Sequence, residues 1–125
     1  MRGRYDLIVI GQALAARFGV APEQGGTVGQ GLEAWQPRYN VAPSQLNPVV
    51  VTADDQEKHL TMMKWGLVPG SAKEPKTSFS TINARAETIT QKPAFRKLVT
   101  SKRCLVPATG YFEWAISDDA GGKQP

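Results

Sequence analysis

The fold of this chain is decided by residues 48–63, PVVVTADDQEKHLTMM. Residues 48–52 are rich in β-branched side chains, residues 53–56 are typical turn formers, and residues 58–63 alternate in part between polar and apolar side chains. Two such runs on either side of a short polar turn predict a β-hairpin. We expect residues 65–68 to extend the same sheet.

Short elements of both kinds are predicted outside the hairpin. Leu14 and Phe18 are four residues apart and Gly19 follows them, which indicates a short amphipathic helix over residues 10–18 that ends in a glycine cap. Nine prolines and twelve glycines, most of them between short apolar runs, favour many turns and short strands. The expected fold class is therefore α+β, mainly antiparallel β with short helices. The further predictions are a polar loop over 22–31, one or two helical turns over 92–98, and strands over 103–106 and 111–116.

Length and composition fit one globular domain. The 125 residues are 41% hydrophobic and 21% charged, which is unlike a disordered chain and sufficient for a core. The single cysteine excludes an intrachain disulfide, and the apolar runs stop far short of the ~20 residues that span a bilayer. In the absence of a signal-peptide pattern, we expect a cytoplasmic monomer with no membrane partner. Basic residues outnumber acidic ones by 15 to 11, which allows attraction to a polyanion but is also common on ordinary surfaces.

The last residues predict a strand without its partner. Residues 117–122 have the composition of a hairpin loop, and only residues 123–125 remain to return from it. A strand over 111–116 would then expose an unpaired edge, which folded proteins usually avoid. We therefore interpret residues 1–125 as the N-terminal part of a single longer domain.

Polar side chains of three kinds stand on short apolar segments. Residues 82–88 carry the amide of Asn83 and the guanidinium of Arg85, and residues 110–114 carry the carboxylate of Glu113. Strands and strand ends form a rigid frame that can hold such groups in a fixed arrangement. The pattern is typical of an active site.

Five motifs occur in order along the chain: GRY at 3–5, RYNVAP at 38–43, WGLVP at 65–69, INARAET at 82–88 and GYFEW at 110–114. Together they resemble the SOS response-associated peptidase (SRAP) family over nearly the whole chain. The resemblance implies a partly open barrel, without a cofactor, that recognises abasic sites in single-stranded DNA. It also implies a crosslink through an N-terminal cysteine, whose α-amine and thiol close a thiazolidine ring on the sugar aldehyde, and autoproteolytic removal of any residues before that cysteine.

The resemblance assigns roles residue by residue. Asn83 is expected to orient the N-terminal residue and the sugar, and Glu113 is expected to act as the acid and base. Arg4 and Arg85 are expected to hold the phosphates that flank the lesion. The other expected DNA contacts are Asn40 and Pro43, where the family turns the strand, and Trp65.

Two departures from the family bear on the chemistry. Arg2 stands where the family has its cysteine, so no thiol is available there to close a thiazolidine, and only a weaker Schiff base can form after Met1 is removed. Ser71 stands where the family typically has a tryptophan, and the loss of a stacking partner would cost ~1–3 kcal/mol in single-strand binding. The family's catalytic histidine lies beyond residue 125.

Structural interpretations stand beside the functional ones. In one alternative, Glu113 pairs with an arginine at a sheet surface, and Trp65 is a half-buried packing residue. Cys104 is expected to be a small core residue rather than a nucleophile, and His59 a surface residue without a metal or triad partner. At the level of function, the alternatives are a non-catalytic module that binds single-stranded DNA and an inactive truncated remnant.

Overall fold

Short antiparallel strands and one short helix make up the architecture in a computed structural model that describes residues 3–20, 31–32, 34–70, 72, 81–113, 115–116 and 123–124. Within these ranges, no helix has the length and apolar character needed to cross a membrane. The elements in chain order are β1 (Tyr5–Leu7), α1 (Gly11–Phe18), β2 (Arg38–Val41), β3 (Leu46–Thr52), β4 (Lys58–Lys64), β5 (Cys104–Leu105), β6 (Gly110–Tyr111), β7 (Ala115–Ile116) and β8 (Lys123–Gln124).

The strands form open sheets with the orders β2-β1-β6, β4-β3-β5 and β7-β8. Every strand pair in them is antiparallel. The expected fold class, α+β and mainly antiparallel β, is therefore confirmed. None of the described sheets closes on itself into a barrel.

The predicted hairpin is confirmed, because β3 and β4 pair along their whole length. The turn between them is held by the Glu57 N–H, which donates to the Asp55 carboxylate at 2.9 Å. Gln56 takes a left-handed conformation, with φ 65°. Local side-chain bonds of this kind are what make short polar stretches into turns.

The expectation that residues 65–68 extend this sheet is wrong. The Trp65 N–H donates to Gln45 O at 3.0 Å, and the Trp65 carbonyl accepts from the Ser44 N–H at 2.9 Å. The backbone of Trp65 thus joins the turn that precedes β3. Gly66 then takes φ 126°, a conformation open to glycine and rarely adopted by other residues, and β4 ends at Lys64.

Helix α1 matches the sequence prediction to within one residue. It ends at Gly19, whose φ of 65° is left-handed and whose N–H bonds back to the last turn, as a glycine C-cap does. Leu14 is buried, and Phe18 packs against the core from the same helix. The predicted turns over 92–98 are confirmed as consecutive turns, with α-type bonds such as Arg96 N–H to Lys92 O at 2.9 Å.

The core unites the two larger sheets with α1. Val50 and Leu60 face each other across the hairpin, and the Tyr5 ring packs on Trp65 with their centroids 5.6 Å apart. Because one cluster contains residues from β1, β2, β3, β4 and α1, none of these elements buries its apolar face alone. Its buried members are Tyr5, Leu7, Leu14, Val20, Leu32, Trp35, Val41, Val50 and Leu60.

The strands near the C-terminus are shorter than expected. The predicted strand over 111–116 is wrong as a single element, because it divides into β6, which pairs with β1, and β7. The expectation that this part of the chain lacks a partner strand is also wrong, because β7 pairs with β8, with Ile116 opposite Lys123. The strand expected over 103–106 is reduced to β5, which pairs with β3. The expected loop at 117–122 lies outside the described residues, as does nearly all of 22–31.

Candidate functional site

Arg4 is fixed to β2 by a side-chain bond. Its Nη1 donates to the Asn40 Oδ1 at 2.9 Å, and both residues are exposed. Tyr5 pairs with Val41, but Leu7 pairs with Arg38, so the register shifts between them. Bulges of this kind re-aim side chains and are frequent next to active sites. Arg4 is therefore a positioned charge, and the bulged segment of β2 presents Asn40 to it.

Glu113 comes shortly after β6, the strand that pairs with β1 on the side opposite β2. The Phe112 N–H donates to Arg4 O at 3.1 Å, so the pairing continues to the residue before Glu113. Gly110 faces Asp6 in this pairing, and a Cβ on Gly110 would lie 3.1 Å from the Asp6 Oδ1. The glycine of the GYFEW motif thus makes room for a carboxylate, and Glu113 is exposed near Arg4.

Trp65 connects the 42–45 turn to the segment that contains Asn83. Its Nε1–H donates to Ile82 O at 2.9 Å, and Asn83 is the next residue. Its backbone bonds hold the turn in which Ser44 takes a left-handed φ of 70°, directly after Pro43. Strained backbone of this kind persists only where neighbouring contacts enforce it. Trp65 therefore positions two of the predicted site residues, in addition to its packing role.

Asn83 and Arg85 are both exposed on an irregular segment. The start of this segment is tied to residues 65–68, because the Leu67 N–H donates to Thr81 O at 3.2 Å and the Thr81 hydroxyl donates to Leu67 O at 2.8 Å. Arg85 begins the following turn, in which its carbonyl accepts from the Thr88 N–H at 3.2 Å.

Arg38, which lies near Asn40 on β2, was not singled out from the sequence. Its guanidinium carbon lies 4.9 Å from the centre of the Trp35 ring, a cation–π contact. Burial raises the pKa of Tyr5, and the positive charge of Arg38 partly offsets that rise. The RYNVAP motif carried the signal, since it places this arginine two residues before Asn40.

A cleft of about 600 Å³ lies on the β4-β3-β5 sheet, and the sequence did not predict it. Asn47 lies in it and is only 2% exposed; its Nδ2–H donates to Gln45 O at 2.9 Å, while its buried Oδ1 has no hydrogen-bond partner among the residues that the structure describes. The feature of the sequence that could have indicated this cleft is an asparagine inside an otherwise apolar strand. The lining is Tyr5, Asn47, Val49, Met63, Lys64, Trp65, Gly66, Leu67, Val68, Ile82, Asn83, Ala84, Ile89, Cys104 and Val106.

The expectation that Cys104 is a core residue is wrong. Cys104 is exposed and borders the cleft. Neighbouring atoms still desolvate the sulfur enough to raise the pKa of the thiol, because burial disfavours the charged thiolate. A raised pKa leaves less thiolate at neutral pH, which agrees with the expectation that Cys104 is not a nucleophile.

A family model described as "SOS response associated peptidase (SRAP)" matches residues 1–125. The chain belongs to the SRAP family. The resemblance drawn from the five motifs is thereby confirmed. The roles assigned to Asn83, Arg85 and Glu113 stay predictions.

Individual proteins with similar sequences are named abasic site processing proteins. The chain is 51% identical over 84 residues to the abasic site processing protein YoaM of Bacillus subtilis, covering 67% of this chain and 37% of YoaM. It is 38% identical over 102 residues to the abasic site processing protein HMCES of Gallus gallus, covering 73% of this chain and 30% of HMCES. A crystal structure of a protein from Bacteroides thetaiotaomicron matches with a TM-score of 0.71 and 28% identity, over 96% of this chain and 50% of that one. The chain thus spans between about a third and a half of the length of these proteins.

His59, expected to be a surface residue, lies apart from the predicted site residues. Its Nε2 is 3.1 Å from the Asp55 carboxylate, next to the hairpin turn. The other end of β4, after which Trp65 follows, is roughly 17 Å from His59 at ~3.4 Å per strand residue. Hydrogen bonds, first from the Glu57 N–H and then from His59, lower the pKa of Asp55. Within the described ranges, no three His, Cys, Asp or Glu side chains are grouped where they could hold a metal ion.

The structure brings the predicted site residues into two groups. Arg4, Asn40 and Glu113 stand around the start of β1, and Trp65 connects Pro43 with the Asn83–Arg85 segment. The Tyr5 ring, which packs on Trp65 directly after Arg4, joins the two groups. Arg2 and Ser71, the positions of the two departures from the SRAP pattern, lie outside the described residues.

Proposed function

We propose that this protein binds single-stranded DNA at abasic sites. Its membership of the SRAP family supports this substrate, as do the names of its abasic site processing relatives. The residues that would contact the DNA, which we call the DNA surface, are Arg4, Asn40, Pro43, Trp65, Asn83, Arg85 and Glu113. We further propose that the protein acts as a cytoplasmic monomer.

The bond from Arg4 to Asn40 is the observation that carries the proposal. It uses one of the five N–H groups of the guanidinium and holds the side chain in place beside the start of β1. A positioned arginine loses less side-chain entropy when it binds an anion than a mobile one does. A DNA phosphate is the expected anion, because phosphate contacts dominate the affinity of nucleic-acid binding.

Recognition, rather than a stable crosslink, is the activity we propose for this sequence. An aldehyde on the DNA condenses with a free α-amine by losing water, which gives an imine; a neighbouring thiol then adds across the C=N bond to close a ring. Arg2 has no thiol to add, so the reaction would stop at the reversible imine. Glu113 would supply the carboxylate that moves protons during the dehydration.

Fluorescence anisotropy with labelled oligonucleotides tests this proposal. The DNA would be single-stranded with one tetrahydrofuran abasic analogue, single-stranded and intact, or duplex, each titrated at several salt concentrations. We expect the abasic single strand to bind best and its affinity to fall steeply with salt. Arg4→Gln and Arg85→Gln should each reduce the slope of log affinity against log salt by about 1, because each removes one phosphate contact.

Arg17→Gln serves as the matched control. Arg17 is an exposed arginine in the last turn of α1, outside the DNA surface, so its loss should leave the slope unchanged. With natural abasic DNA, a denaturing gel should show no stable crosslink from the unmodified chain. Equal affinity for abasic and intact strands would contradict the proposal, as would Arg4 and Arg85 variants that bind like the Arg17 variant.

A further inference from the structure

A basic surface lies on the consecutive turns after the Asn83–Arg85 segment. Residues 92–103 contain five basic residues and no acidic one, a net charge of +5, whereas the whole chain carries +4. The rest of the chain therefore sums to −1, and the positive charge of the molecule is concentrated in these turns. The side chains that form the basic surface are all exposed: Lys92, Arg96, Lys97, Lys102 and Arg103.

Backbone hydrogen bonds hold the basic surface in place. The Arg96 N–H donates to Lys92 O at 2.9 Å, and the Lys102 N–H donates to Leu98 O at 2.8 Å. At ~1.5 Å of rise per residue, Lys92 and Lys102 stand roughly 15 Å apart along the turns, a distance that about five extended residues of a peptide also span. In the described part of the chain, none of the five basic side chains is held by an ion pair. Like charges clustered in this way attract an anionic partner.

A groove of about 450 Å³ lies between these turns and residues 69–70. On the side of the turns it is lined by Pro93, Ala94, Lys97 and Leu98. Residues three and four apart share one face of a helical turn, so Ala94 and Leu98 present an apolar face with the charge of Lys97 beside it. The volume falls in the ~300–1,000 Å³ range that is usual for ligand pockets. The groove thus adds an apolar site to the basic surface.

We propose that the groove and the basic surface together bind an acidic polypeptide segment of a partner protein, one that carries an apolar side chain among its carboxylates. The apolar side chain enters the groove between Pro69 and Leu98, where it is removed from water. The carboxylates accept charge-assisted hydrogen bonds from the basic surface. This function goes beyond the binding of abasic DNA and does not depend on it.

Nucleic acid fits this site less well than an acidic polypeptide does. A phosphate backbone would pair with the basic surface, but it has no apolar group to fill the groove. The bases of a single strand bind by stacking on aromatic side chains, and no aromatic ring occurs among the described residues that line the groove. A peptide with leucine-like side chains supplies both the negative charge and the apolar group.

Fluorescence anisotropy with labelled nonapeptides tests the proposal on the full chain. The first peptide consists of glutamates with two leucines near its centre, the second has serines in place of the leucines, and the third has glutamines in place of the glutamates. We expect the first to bind about tenfold more tightly than the second, because its apolar area is removed from water, and the third not to bind measurably. Equal affinity of the first two peptides, or no binding of the first, would overturn the proposal.

Two alanine-to-leucine substitutions separate the groove from the rest of the surface. Ala94→Leu enlarges a side chain that lines the groove, whereas Ala16→Leu enlarges an exposed one on α1. Both residue types are strong helix formers, so neither variant should lower the melting temperature. Ala94→Leu should remove the preference for the leucine peptide over the serine peptide, and Ala16→Leu should preserve it. A preference that survives Ala94→Leu would mean that the apolar contact lies elsewhere and that the proposal is wrong.

Two charge reversals of equal size distinguish peptide binding from DNA binding. Lys97→Glu and Arg17→Glu lower the net charge by the same amount, but only Lys97 lines the groove. We expect Lys97→Glu to weaken the leucine peptide about tenfold and Arg17→Glu to leave it nearly unchanged, because the attraction is local and screened by salt. Both variants should bind intact single-stranded DNA equally well. A Lys97→Glu variant that loses DNA affinity as strongly as peptide affinity would identify the basic surface as a nucleic-acid contact and overturn the proposal. Abasic-site binding can fail without changing any of these outcomes.

Discussion

Trp65 is the residue on which the arrangement of the DNA surface depends most. We predict that Trp65→Phe keeps the ring against Tyr5 but loses the bond to Ile82 O. The free energy of unfolding should fall by about 0.5–1.5 kcal/mol, the usual net contribution of one hydrogen bond. The release of residues 81–83 should also reduce the hydrogen-exchange protection of the Leu67 amide, which donates to Thr81 O, and weaken binding to abasic DNA.

Trp35→Phe is the matched control for that substitution. Trp35 also donates its Nε1–H to a backbone carbonyl, that of Val9, at 3.0 Å, but it lies in the core rather than on the DNA surface. It should lower the stability by a similar amount while leaving the Leu67 amide and DNA binding unchanged. If both variants affect DNA binding equally, the loss reflects general instability and the positioning role of Trp65 is wrong.

Individual side-chain partnerships were the part of the site that the sequence did not predict. The motifs identified Arg4 and Asn40 as separate DNA contacts, but their mutual bond joins positions 36 residues apart and depends on the pairing of β1 with β2. The near-complete burial of the Asn47 side chain likewise appears only when the strand is folded. Residue types can be recognised in a linear sequence, whereas their contacts are set by tertiary packing.

Helix α1 is positioned by a close approach that excludes a side chain. A Cβ on Gly11 would lie 2.8 Å from Leu32 O and 2.9 Å from Leu32 Cγ. We predict that Gly11→Ala lowers the melting temperature, because an overpacking cost of ~1–3 kcal/mol exceeds the helix-propensity gain of up to ~1 kcal/mol. Gln12→Ala, on the exposed side of the same helix, should leave the melting temperature unchanged or raise it slightly. A Gly11→Ala variant as stable as Gln12→Ala would show that α1 is not packed closely on Leu32.

Elements with strong local signals were predicted well, and those that depend on distant partners were not. The β3–β4 hairpin carries its own β-branched run and turn, and α1 carries its own glycine cap at Gly19. The residues after β4 look equally strand-like, but Trp65 bonds to Gln45 and Gly66 turns the chain. The division of 111–116 into β6 and β7 likewise follows from pairing with β1 and β8, which no local pattern encodes.

The whole molecule is held together by one core that includes both larger sheets and α1. We therefore predict a single thermal transition, with far-UV circular dichroism and tryptophan fluorescence giving the same midpoint, because Trp35 lies in this core and Trp65 packs on it. Leu60→Ala removes a side chain that is 0% exposed and should cost ~2–5 kcal/mol, which shifts both midpoints together or abolishes the transition. Leu46→Ala, 55% exposed on the neighbouring strand, should change stability by no more than ~0.5 kcal/mol. Two separate midpoints would mean that the sheets unfold independently, and a broad transition without a plateau would instead favour a remnant that does not fold stably by itself.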